Sequence, residues 1–155
     1  MMRDSALGLV PETLEHYIAL GQALWSAGPL GPAELEVARL RNARRVNCVF
    51  CKNVRYDIAL QDGLTEARIA RIDDGYEQSD LSERDKLIIA WVDQFYASPG
   101  EVSAALVARL QAQFSAEELA HLALAVLYFS GFSRCAVALG GMPDELPLMQ
   151  ISVPD

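Results

Sequence analysis

Residues 115–132 read SAEELAHLALAVLYFSGF. Ser115 followed three positions later by Glu118 has the form of a capping box, which satisfies two orphan backbone N–H groups and opens a helix to about Leu139. From Leu119 to Phe132 the pattern is apolar nearly all round, wider than the stripe a surface helix needs. Such a helix has to be covered on every side, so it is expected at the centre of a bundle or against a second subunit, and a homo-oligomer is expected. Its most apolar run, Leu122 to Phe129, stops at Ser130-Gly131, short of the roughly 20 residues of a bilayer span. A buried helix is expected, and no membrane partner.

Outward from this element, helix signals recur and no stretch alternates like a strand. Pro11 opens a helix through about Ser26, closed by Gly28-Pro29-Leu30-Gly31. Pro32 starts a second, to about Arg45. A third is expected from about Cys48 to Gln61, ending at Asp62-Gly63. Thr65 caps a short fourth through Ile72, and the longest loop follows to Asp80. Ser82 caps a fifth with Pro99-Gly100 as its stop, and Ser103 caps a sixth. The tail after Gly140-Gly141-Met142-Pro143 is expected to be an extended arm or disordered. The reading is an all-α, single-domain bundle of six to seven helices over residues 1–155.

A 155-residue chain, 52% apolar, is long enough to bury a sizeable core. Its net charge of −8 argues against nucleic acid and anionic membrane, whose phosphates reward a cationic surface. Met1-Met2-Arg3-Asp4-Ser5 does not begin a secretory signal, so a cytoplasmic location is expected. Three cysteines are too few for a secreted disulfide framework. Trp25, Trp91 and Phe95 lie at core spacing, and no phosphate loop or cluster of metal carboxylates is recognisable, so no cofactor is expected.

Cys48-Val49-Phe50-Cys51 is the chemically loaded stretch. Zinc would need two more ligands, and Cys135, His16 and His121 are not in a paired spacing. Two small core residues are a second reading. A redox pair is the third and strongest: a cysteine at a helix start has its pKa lowered by unsatisfied N–H groups, and a partner at i+3 shares its face and can close a disulfide. Cys135, on the apolar helix, is expected to be buried and inert.

A hairpin of helices two and three bending near Arg45-Val46 would set Glu36 opposite Arg55. Arg55, four residues after Cys51, would stack on that face. Arg39, Arg41, Arg44, Arg45, Lys52 and Arg55 put six of the thirteen basic residues within seventeen positions. That run is either a positive patch for an anionic partner or a solvated helix face.

Glu36 placed twelve residues before Cys48-x-x-Cys51 resembles the carboxymuconolactone decarboxylase family, in particular its alkylhydroperoxidase D-like branch. The flanks Leu35-Glu36-Val37-Ala38-Arg39-Leu40-Arg41-Asn42-Ala43, Gly63-Leu64-Thr65-Glu66-Ala67 and Gln113-Phe114-Ser115-Ala116-Glu117-Glu118-Leu119 are similar too, and the likeness covers about residues 30–140. It implies a helical fold, a trimer or hexamer, and thiol peroxidase chemistry in which Cys51 attacks, Cys48 resolves and Glu36 joins a proton relay. It also implies a hydroperoxide or disulfide substrate and an external dithiol reductant. The family's relay histidine is replaced by Arg55, which stays charged and cannot act as acid or base. Arg55→His is expected to raise turnover, and His121 is a candidate source of the missing imidazole. Two alternatives stand: lactone chemistry of the decarboxylase branch, which does not rely on a cysteine pair, and a binding or interaction module with a degenerate site.

Overall fold

The computed structural model describes residues 2–140 and 142–153; Met1, Gly141 within the tail, and the last two positions lie outside them. Eight α-helices are present among the described residues: α1 Pro11–Ser26, α2 Pro32–Val46, α3 Val49–Asn53, α4 Asp57–Gln61, α5 Glu66–Ala70, α6 Glu83–Ala97, α7 Ala104–Gln113 and α8 Ala116–Ala138. Two strands, β1 Val54–Tyr56 and β2 Met149–Ile151, pair in parallel with Val54 opposite Met149. The all-α reading holds, with this small ladder as an addition.

Side-chain caps start the elements where the sequence puts them. Thr65, Ser82, Ser103 and Ser115 each accept a backbone N–H three residues on, and Ser115 with Glu118 completes the capping box. Asp62 Oδ2 accepts the Ala33 N–H at 2.9 Å, capping the start of α2 from outside it. Arg84 on α6 bonds Glu34 on α2 at 2.6 Å and Glu118 on α8 at 2.7 Å, which ties three helix starts together.

The innermost element is α2, packed between α6 and α8, with α4 on a further side. Leu35, Val37, Ala38 and Leu40 join Leu87, Ile88, Leu122 and Val126 in the main core. On α1, the Trp25 ring packs at a tilt against Tyr56 and Phe129. The long helix α8 meets the length and hydropathy of a membrane span, yet it packs on α2 and α1 as a core helix.

Two expectations need correction, and the tail resolves to one of its two expected forms. The helix expected over 48–61 is broken: Val54-Arg55-Tyr56 leaves the helix and forms β1, because its edge is paired by β2 from the far end of the chain. The tail, expected as an extended arm or disordered, is an extended arm where described, and it carries the second strand. Cys135 is exposed rather than buried, since α8 turns one face outward.

Candidate functional site

Asn47 takes the left-handed conformation, φ 56°, at the end of α2. The chain can therefore reverse at once, and the Cys48 N–H returns to the Ala43 carbonyl at 3.0 Å. Cys48 then caps α3, its Sγ accepting the Cys51 N–H at 3.2 Å. The two cysteines are joined by a disulfide, with Cα atoms 5.2 Å apart. Cys48 is 0% exposed and Cys51 5%. Both sit with Ala43 in a small apolar cluster edged by Phe50, Phe132, Ala136 and Met142.

Glu36 is not opposite Arg55. Fully buried, it is held by Arg39 of its own helix, whose Nε and Nη2 donate to the two carboxylate oxygens at 2.7 Å each. Burial pulls the Arg39 pKa down, but the charge and hydrogen bonds of Glu36 outweigh it and the net shift is upward. The remaining donors of Arg39 reach the carbonyls of Cys51 and Val54 at 2.7 Å. In a continuous helix the Cys51 carbonyl would accept from Arg55; here a guanidinium takes it, which is what permits the break. The Tyr56 N–H also reaches Glu36 Oε1, at 3.4 Å.

Arg55 turns elsewhere. It pairs with Glu66 at 2.8 Å and donates to the Lys52 and Val54 carbonyls at 2.7 and 3.0 Å. Once the chain has left the helix, Arg55 no longer lies one turn beyond Cys51, so the mirror argument across the hairpin fails.

His121 is buried and committed to the fold. Its Nδ1 accepts the Leu30 N–H at 3.3 Å and its Nε2 lies 3.0 Å from the Leu24 carbonyl, as a neutral ring protonated on Nε2 requires. The ring fills the space a side chain at Gly28 would need: a Cβ there would stand 1.9 Å from Cε1.

Most of the basic run is neither a patch nor a solvated face, although Arg45 is exposed. Arg39, Arg41 and Arg55 are buried, and Arg41 is bound by Asp93 at 2.7 Å and Asp74 at 2.9 Å. Arg44 donates to the Ile69 and Ile72 carbonyls, and Lys52 to Asn47.

Residues that the sequence did not single out complete the site. Ser133 on α8 donates to Cys51 Sγ at 3.4 Å. Asn42 on α2 donates to Ser133 Oγ at 2.9 Å, and Tyr96 on α6 donates to Asn42. Beside the cysteine cluster lies a cavity of about 700 Å³, walled by Phe50, Tyr56, Phe132, Met142, Leu146 and Ile151, with both ends of the chain closing over it. No motif announces these residues; the available signals are Glu36 and Arg39 at i, i+3 on one helix and polar residues interrupting the apolar α8.

Residues 11–77 match the model of the carboxymuconolactone decarboxylase family. Two uncharacterized proteins of Mycobacterium tuberculosis, from strains CDC 1551 and H37Rv, are each 27% identical over 111 residues, 72% of this chain. The chain spans 39% of the length of these curated relatives. A solved structure from Agrobacterium tumefaciens, of a protein of unknown function for which an antioxidant-defence role as AhpD has been suggested, superposes with a TM-score of 0.75 at 23% identity, over 92% of this chain and 99% of that one. Glu36 and both cysteines lie inside the segment that resembles the carboxymuconolactone decarboxylase family, and the chain shares the helical fold of the Agrobacterium tumefaciens structure.

Proposed function

We propose that the protein is a thiol-dependent antioxidant that reduces a hydroperoxide, with a protein disulfide as the alternative substrate. The observation that carries this reading is the Cys48–Cys51 pair, already bonded and set beside an apolar cavity. In the reduced protein the Cys51 thiolate attacks the terminal peroxide oxygen. The O–O bond breaks, Cys51 becomes a sulfenic acid and the alkoxide takes a proton to leave as an alcohol. Cys48 then displaces water from the sulfenic acid to form the disulfide, and an external dithiol restores both thiols by exchange. No metal or organic group enters this scheme. The cavity falls in the size range of small-molecule sites and suits the organic part of an apolar hydroperoxide.

Two subsidiary proposals accompany it. Leu124, Leu127 and Val137 on α8 and Leu139 at its C-cap are exposed apolar side chains, which supports a homo-oligomer in which further copies cover them. A cytoplasmic setting suits a pair that has to be re-reduced.

The test uses a Cys135→Ser background, so that the exposed thiol does not contribute. Reduced protein receives one equivalent of cumene hydroperoxide, and cumyl alcohol and intact mass are recorded. Formation of the alcohol with loss of two hydrogens from the protein, abolished by Cys51→Ser, is the expected result. Absence of the alcohol while both thiols stay reduced refutes the reading and leaves the fold to a binding role.

A further inference from the structure

The row of hydrogen bonds behind Cys51 has a direction. Tyr96 on α6 places its O–H on Asn42 Oδ1. That contact sets the amide of Asn42, on α2, with Nδ2 towards Ser133 Oγ at 2.9 Å. Ser133 Oγ, accepting from the amide, turns its own hydrogen to Cys51 Sγ at 3.4 Å. Asn42 and Ser133 are buried, and Ser130 Oγ, 3.0 Å from the Tyr96 hydroxyl, adds a second partner at the outer end. Every donor in the row points towards one sulphur, so the bond dipoles reinforce each other in a site shielded from water. Cys48 Sγ meets only a backbone N–H of its own short helix among the described residues.

We infer that Ser133, oriented by Asn42 and Tyr96, is the positioning residue that selects Cys51 over Cys48 as the reactive thiolate; this rests on the thiol chemistry proposed above. A hydroxyl donor favours the anionic sulphur over the neutral thiol, and the selection is made by three helices meeting rather than by the order of the cysteines. The row contains no base, so it stabilises charge and moves no proton.

The other titratable and charged groups on the elements around Cys51 are engaged. From α2 come Glu36 and Arg39, paired with each other, and Arg41, Arg44 and Arg45, turned to Asp93, Asp74, Asp73 and backbone carbonyls. On α3 itself are Cys48 and Lys52, the latter bonded to Asn47. On α8, exposed Arg134 stands 5.0 Å over the Tyr96 ring, and Cys135 faces out. Arg39 acts on Cys51 through its carbonyl, which leaves Ser133 as the side-chain donor to the sulphur.

The experiment is alkylation of the reduced Cys135→Ser protein by iodoacetamide across pH, with Cys48 and Cys51 read separately by peptide mass. Ser133→Ala is expected to slow Cys51 about tenfold at neutral pH, as fits loss of one hydrogen bond to a charged acceptor, and to move its profile to higher pH. Ser133→Thr, which keeps the hydroxyl, restores the profile. Tyr96→Phe moves it the same way by about threefold, as an outer member of a cooperative row. The Cys48 rate stays put. A Ser133→Ala profile that overlays the parent refutes the inference, as does a shift shared equally by both cysteines or one that Ser133→Thr fails to reverse. Should Ser133→Ala not fold, Tyr96→Phe and Ser133→Thr decide between the same outcomes. Alkylation needs no peroxide: a shifted profile without hydroperoxide turnover removes the antioxidant reading alone, and turnover with an unmoved profile removes the positioning role alone.

Discussion

Helices α2 and α8 lie side by side with their expected roles exchanged. The more polar α2 is the innermost element and buries Glu36, Arg39, Arg41 and Asn42. The apolar α8 holds one face against it and leaves Leu124, Leu127 and Val137 exposed to solvent, Leu127 at 59% exposure. Placing charge inside is unfavourable unless each group is paired, and leaving leucine outside forgoes burial. The buried charges of α2 shape the cysteine turn, and the exposed leucines of α8 are the residues on which the proposed homo-oligomer is tested.

The comparison is most severely tested at Arg39. Arg39→Ala strands the Glu36 carboxylate in the core and is expected to lower stability by about 3–5 kcal/mol in urea denaturation. Arg109→Ala, which breaks the exposed Arg109–Glu83 pair, is expected to change it by less than about 1 kcal/mol. Equal losses would show that the α2 pair is not the internal clamp described. The next effect concerns assembly. Leu124→Glu with Leu127→Glu is expected to reduce the mass by light scattering to that of one chain, while altering chain stability by only about 0.5 kcal/mol, as surface changes do. A parent protein already monomeric would break the outer half of the comparison. The smallest effect is at Arg55. Because Glu36 is occupied by Arg39 and position 55 faces Glu66, Arg55→His is expected to leave hydroperoxide turnover within about twofold, since a proton relay needs hydrogen-bond reach. A large gain would restore the relay expected from the sequence.

Helix starts were legible because their causes are local. Ser82, Ser103 and Ser115 cap their helices through hydrogen bonds that reach only three residues along the chain, and Pro11 and Pro32 open theirs. The cysteine pair was legible for the same reason. The break at Val54 was not, since its causes are a guanidinium from α2 and a strand from the other end of the chain. The exposure of Cys135 depends on which way α8 is rolled, and an apolar pattern without a polar face does not fix that roll. Ser133, Asn42 and Tyr96 are ordinary residues on three helices, and only packing brings them to one sulphur.

The β1–β2 ladder has a kinetic consequence. Val54 and Met149 are joined across most of the chain, and a loop that long is closed against a large entropy before its hydrogen bonds repay any of it. The ladder is therefore among the last contacts made in folding and among the first to open in the native state. Backbone amides of residues 149–151, on the less buried strand, are expected to exchange with solvent deuterium well before those of α2. Each opening of the far arm is thus expected to uncover the edge of β1, the segment that follows the cysteine turn.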